Sequence, residues 1–264
     1  MKEKRKLNKG GKILLLFTLV VSSIFLLRPF TVKADVNVNI NKETQIVTDL
    51  IGQYSINYTG DANFFGFYGY YENNNYNEMV KDTDFKATVD TIGKDKIVNS
   101  SIASLKKTAG ATRIEAAYLV WETSVQGKNN TDLVKKAANK AIYFAGSTDK
   151  GAFTKKVNAS YAAVDMREPH LGTKEYTFSC MYVDVTSVVQ KYGYGKYGVA
   201  NIPYAASMKT SNTDKGTHAG ESRAAWQLIV IEKNSKANVR AVSLKIGSHF
   251  NYQREGSMWT KNPV

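Results

Sequence analysis

The sequence predicts an all-β protein: an antiparallel β-sandwich, jelly-roll-like, with one or two short helices. Three observations carry this reading. Apolar residues recur with period two in segment after segment, as half-buried strands require. Polar links rich in Asn, Gly, Lys and Ser separate those segments at short spacing. Only four prolines occur in 264 residues, so little obstructs extended backbone.

In chain order, DVNVNI sets Val36, Val38 and Ile40 against asparagines, a half-exposed strand. QIVTDLIGQYSINY is a second strand, with turns expected at Thr59–Asp61 and Asn73–Asn75. DFKATVDTI reads as another alternating strand, whereas KIVNSSIASLKKTAGAT fits a helix or a strand with a loop. RIEAAYLVWETS is apolar on both faces, Ile114, Ala116, Tyr118 and Val120 opposite Ala117, Leu119 and Trp121, the mark of a central covered strand. NNTDLVKKAANKA switches to helical spacing behind Asn130 or Thr131 as cap. AIYFAGS, KKVNASYAAVDM and EYTFSCMYVDV return to strands. VTSVVQKY is a short helix that Asp184 caps and Gly193 ends. KYGVANIPYAASM is the next strand. AAWQLIVIEK and VRAVSLKIG, linked by KNSKAN, read as a closing hairpin. The expected total is nine to eleven strands.

The ends bound the compartment. MKEKRKLNKGGK is basic, Ile13–Leu27 carries no charge, and VKA precedes Asp35, the pattern of a secretory signal peptide over residues 1–34. Residues 35–264 are then one secreted β-sandwich domain, extracellular or associated with the cell surface, with no membrane contact after cleavage. Residues 1–34 hold eight basic groups against one acid, so about +6 of the net +13 stays with the domain. That charge suits a cell-wall polymer or other anionic surface but comes without a nucleic-acid motif. One cysteine, Cys180, precludes an internal disulfide, so the domain must be held by its core or by some other crosslink.

Four stretches in order, AAYLVWETS, YVDVTSVV, YGVANI and AAWQLIVIEKNSKANVRAVSLKIG, resemble the N-terminal β-sandwich domain of large Gram-positive cell-surface proteins, adhesin-like chains bearing repeats. The similarity spans about residues 110–250. It implies a sandwich at the cell surface, in adhesion or wall architecture, and brings no catalytic residues with it. The chain departs from that family at KNPV, without repeats or a sorting signal, which leaves open whether it is a fragment of a larger surface protein. In such proteins a Cys joined to a Gln forms an internal thioester. Cys180 with Gln227 (or Gln253) supplies those residue types, although Cys180 alternates with Phe178 and Tyr182 on an apolar face that argues for an inert thiol. A Lys–Asn isopeptide crosslink is the related expectation, with no pair singled out.

The best ligand candidates lie in FFGFYGYYENNNY, where Tyr68, Tyr70, Tyr71 and Tyr76 offer flat aromatic area with hydroxyls and Asn74 an amide. An ordinary hairpin with tyrosines at a sheet edge explains the same residues. Trp121 and Trp226 read as core. His170, His218 and His249 lack helical metal spacing, no hydrolase or phosphate-loop motif occurs, and neither a metal nor a cofactor is expected. The sequence therefore points to a monomeric, non-enzymatic binding module for a glycan or extracellular matrix protein. The alternatives are a structural cell-wall assembly component and a secreted hydrolase on a jelly roll. Imidazoles and acids gathered in a cleft would favour the hydrolase, and a flat tyrosine-lined face the binder.

Overall fold

The structure, a computed structural model, describes residues 37–40, 45–65, 74–126, 131–166, 176–203, 223–247, 252–255 and 258–261. By its contacts the chain falls into two units, Met1–Asp35 and Val36–Val264, and every described residue lies in the second. Strands β1 (Asn37–Ile40) and β2 (Gln45–Phe65) lead to the two-residue β3 (Asn74–Asn75). A helical stretch follows: α1 (Glu78–Lys81), a 3-10 turn over Thr83–Phe85, α2 (Lys86–Ile92) and a 3-10 turn over Lys94–Lys96. Next come β4 (Ser100–Leu105), β5 (Ala111–Gln126), α3 (Thr131–Asn139), β6 (Ile142–Thr148), β7 (Gly151–Val157), β8 (Tyr161–Met166) and β9 (Tyr176–Asp184). The helix α4 (Thr186–Tyr192) precedes β10 (Gly195–Ala200), β11 (Arg223–Asn234) and β12 (Val239–Ile246). A last pair, β13 (Tyr252–Glu255) and β14 (Met258–Lys261), stands as its own two-stranded sheet.

The protein is an all-β sandwich. The large sheet runs β1-β8-β9-β5-β11-β2-β12, with β3 on the end of β2, and the small sheet runs β4-β10-β6-β7. Every pairing is antiparallel except β1 on β8. Because side chains alternate along a strand, one set from each sheet meets in the middle. The large sheet contributes Leu119, Trp121, Met181 and Leu228, and the small sheet Phe144, Tyr197 and Val199, all fully buried. Burying each large side chain contributes roughly 1.5–3 kcal/mol. The core is tied by a polar chain as well. Trp226 Nε1 donates to Ser101 Oγ (2.7 Å), Ser101 Oγ to Asn63 Oδ1 (2.7 Å), and Asn63 Nδ2 to Asn99 Oδ1 (2.8 Å). Asn99 in turn donates to the Ile202 carbonyl (2.9 Å), so no member of the chain is left unpaired between the sheets.

Helices complete the cover. In α3, Leu133, Val134, Ala137 and Ala138 form a buried stripe at helical spacing that joins the main core. On the far side of the small sheet, Met79, Phe85, Val89 and Ile92 pack on Ala145 and Ala200. This close approach needs a glycine below it: a Cβ on Gly198 would lie 3.0 Å from the Met79 sulfur and 3.1 Å from the Phe85 ring. Lys196 Nζ fastens the same layer through Asp82 Oδ2 (2.9 Å) and Asp84 Oδ2 (2.8 Å).

Several expectations change. DFKATVDTI forms the 3-10 turn and α2, not a strand, so the helical content exceeds one or two helices. Thr59–Asp61 continues β2 and Asn74–Asn75 is a strand, so neither is the turn anticipated. The strand expected over KYGVANIPYAASM ends at Ala200, ahead of Pro203, which has no N–H to give a ladder. The segments around KNSKAN are not a hairpin: β11 and β12 do not pair with each other but with successive halves of β2, β11 with residues 54–65 and β12 with residues 45–53. Fourteen strands are described, above the nine to eleven expected.

Candidate functional site

The large sheet has a second face, turned away from the sandwich core, and it carries the tyrosines. Residues paired directly across strands share a face. One such row is Tyr58 on β2, Ile229 on β11, Tyr118 on β5 and Asp184 on β9. The next is Gly60, Gln227, Val120, Tyr182 and Tyr161 on β8. A third sets Ala225, Glu122, Cys180 and Ala163 side by side. Ile56, Ile231 and Ala116 form the row on the other side.

Part of this face is closed. The N-terminal half of β2 pairs with β12, and Val47, Leu50, Val242 and Leu244 of that ribbon pack with Tyr54, Ala116, Tyr118 and Ile231. Thr48 hydrogen-bonds the Tyr118 phenol. The remainder is open: Tyr58 is 68% exposed and Ile56 56%, while Ile229, Val120 and Tyr182 are half-buried and Gln227 is exposed. From Tyr58 to Tyr182 is three strand spacings across and two residues along, about 16 Å. Gly60 leaves a gap in the strip, and its backbone lies so close to the Trp226 carbonyl that a Cβ there would collide with it.

The rings interact. Tyr118 meets Tyr182 edge-on at 6.5 Å, and Tyr182 is tilted against Tyr161 at 5.7 Å. Burial pushes the Tyr182 phenol above its ordinary value, helped by Tyr161, Tyr118 and the negative charge of Asp184. Burial likewise raises Tyr118; Thr48 opposes the rise and Asp184 adds to it. The phenols stay neutral and keep both a donor and an acceptor. The strip thus offers aromatic faces, one amide and two flanking carboxylates, Glu122 and Asp184.

Of the ligand candidates anticipated in the sequence, Tyr68, Tyr70 and Tyr71 lie outside the described residues. Asn74 is in β3, whose backbone pairs with Phe65 on β2, and Tyr76 is 39% exposed just beyond it. Cys180 is 6% exposed, and burial, then the charge of Glu122, pushes its thiol up to about 12. Gln227 is two strands away from Cys180, with β5 between them and an offset of two residues, so the register holds the two apart by about 12 Å. For Gln253 only the backbone pairing with Thr260 is described. His170, His218 and His249, with the neighbouring acids Glu168 and Glu221 that could orient an imidazole, lie outside the described residues, which hold no group of three or more metal-ligating side chains. No described helix is long and apolar enough to cross a membrane.

Sequence reasoning passed over the strip, although its signal was present. Tyr54, Ile56 and Tyr58 alternate, as do Tyr118 with Val120 and Cys180 with Tyr182. Ile114, grouped with Tyr118 by alternation alone, belongs to the main core instead. The ladder skips Glu115 between Ala116 and Ile114, and this bulge turns Ile114 inward. Comparison with family models, curated proteins and solved structures returns no match.

Proposed function

We propose that the chain is an exported, non-enzymatic binding module that adheres to a glycan or an extracellular protein through the open strip of its large sheet. The observation that carries this reading is Tyr58, 68% exposed in mid-strand beside the 56% exposed Ile56, on a row that continues through Ile229 to the tyrosine group. A strand interior whose large apolar side chains face water is where partners dock. Tyrosine gives contact area at low entropic cost, with a hydroxyl to fix orientation. The basic, uncharged and small-residue order of residues 1–34 supports export, and the resemblance of residues 110–250 to surface-protein domains supports a place on the cell surface.

The test is a glycan and extracellular-matrix array probed with the parent protein and with Tyr58→Ala and Tyr182→Ala. Loss of a bound ligand in both variants, with unchanged circular dichroism, supports the strip. A ligand held equally by both variants overturns it, and if Tyr76→Ala abolishes that binding, the site belongs at the β2–β3 end.

A structural assembly component is the second reading. It is favoured by Ile51 (82% exposed) and Val239 (70% exposed) on the outward face of the ribbon at the sheet edge. A molar mass that rises with concentration, and falls back in Ile51→Asp, would support assembly.

A further inference from the structure

We propose that the group the strip selects is a cation: the lysine or arginine of an extended basic segment in an extracellular partner protein. This rests on the strip being the binding surface and adds the chemistry of what it prefers.

Tyr182 is the centre of the argument. Asp184 follows it by two positions on the same face of β9, and Glu122 stands across from Cys180, two positions before it. Both carboxylates are exposed. Asp184 gives one oxygen to the Thr186 amide (2.8 Å), and Glu122 has no hydrogen bond or ion pair among the described residues. Beside the ring, the Tyr161 phenol oxygen is buried without a partner, in a residue 3% exposed. An aromatic face between two carboxylates, with an unused oxygen next to it, complements an ammonium or guanidinium group.

Charge on this face is segregated. Its described basic residues, Arg113, Lys233 and Arg240, stand at the opposite end, where Arg113 is held by Glu115 (2.9 Å). Lys233 places its Nζ 4.7 Å over the ring of Tyr54, a tyrosine of the same surface already carrying an ammonium. The Tyr182 end lacks such an occupant among the described residues. An extended chain spanning from Tyr58 to Tyr182 sets an apolar residue on the first and a basic one on the second.

The experiment titrates the full chain with two capped synthetic peptides, one alternating Lys and Val and one with Gln in place of Lys, followed by NMR or calorimetry. The lysine peptide is expected to bind at least about tenfold more tightly. Glu122→Gln and Asp184→Asn should each weaken it by about three- to tenfold and flatten its salt dependence; the asparagine keeps an acceptor for Thr186. Tyr58→Ala should weaken both peptides alike. Equal affinity for the two peptides, or acid variants indistinguishable from the parent, overturns the cation inference. In that event a neutral glycan lost in Tyr58→Ala and Tyr182→Ala leaves the binding strip standing, whereas tyrosine variants without effect on any ligand remove both.

Discussion

Trp121 and Trp226 face each other across β5 and β11, both buried against the small sheet, yet only Trp226 has a partner for its indole N–H. Trp226 Nε1 donates to Ser101 Oγ at 2.7 Å, whereas Trp121 Nε1 is buried and unpaired. An unsatisfied buried donor costs about 1–3 kcal/mol. Replacing each by Phe removes similar volume, so the difference between the two variants isolates the hydrogen bond. Trp226→Phe takes from the Ser101 hydroxyl its incoming donor, leaving only its own bond to Asn63, whereas Trp121→Phe removes a donor that was already unpaired. Trp226→Phe should therefore lower stability by ~1–2 kcal/mol more. Urea unfolding of the two variants measures this. Equal losses would show that packing alone decides both positions.

Cys180 should be chemically silent in the folded protein. Thiolate is the reactive form, and burial raises the thiol to about 12, with Glu122 adding to the rise. At neutral pH a disulfide reagent is expected to label none of the folded protein and one thiol per chain after denaturation. Because β5 separates Cys180 from Gln227, the intact mass should show no loss of ammonia from a bond between them. Rapid labelling of the native state, or that mass deficit with a blocked thiol, would contradict the register.

What could be read from the sequence was whatever one segment decides by itself. The burial of β5 on both sides follows from Ala116 and Tyr118 alternating with Ala117, Leu119 and Trp121, and α3 follows from Leu133, Val134, Ala137 and Ala138. The stretch around Phe85 was misread because Phe85, Ala87 and Val89 satisfy period two while Phe85, Val89 and Ile92 satisfy the helical period. Docking of Phe85, Val89 and Ile92 onto the small sheet settles that tie, and docking is not written locally. The tyrosine strip was hidden for the same reason. Tyr58, Tyr118 and Tyr182 come from three strands far apart in the chain, and their meeting depends on the order β2-β11-β5-β9.

Asn201 holds the end of β10 in a left-handed conformation, φ 64°, which its side chain secures from both ends. Its Oδ1 accepts from the Val98 amide (2.9 Å) and its Nδ2 donates to the Lys96 carbonyl (2.9 Å). Asn201→Ala loses both bonds and places a residue without local hydrogen bonding at positive φ. Asn201→Gly loses the bonds but relieves the backbone. The alanine variant should therefore be the less stable of the two, by ~1 kcal/mol, in thermal or urea unfolding. Glycine as costly as alanine would mean that the two side-chain bonds, and not the backbone, determine the position.

Alkaline pH should unfold the protein through phenols that cannot ionise in place. Glu232 is fully buried and accepts from Ser55 Oγ (3.1 Å), Asn57 Nδ2 (3.4 Å), the Thr108 amide (3.4 Å) and the Tyr194 hydroxyl (2.7 Å). Burial pushes the Tyr194 phenol well above its ordinary value, and the bond to Glu232 and that residue's charge push it further. Tyr197, buried in the core, is raised by burial and then by Asp149. A raised folded value means that the unfolded chain releases its proton first. The stability from both groups is thus complete below about pH 10 and declines as pH climbs from there toward their folded values. Tyrosinate absorbance should appear together with loss of secondary structure for these two residues, not before it. Tyr194→Phe removes one of the two, so the decline above pH 10 should be shallower than in the parent even though the variant is less stable at neutral pH. A parent and variant with parallel alkaline limbs would show that Tyr194 ionises freely in the fold.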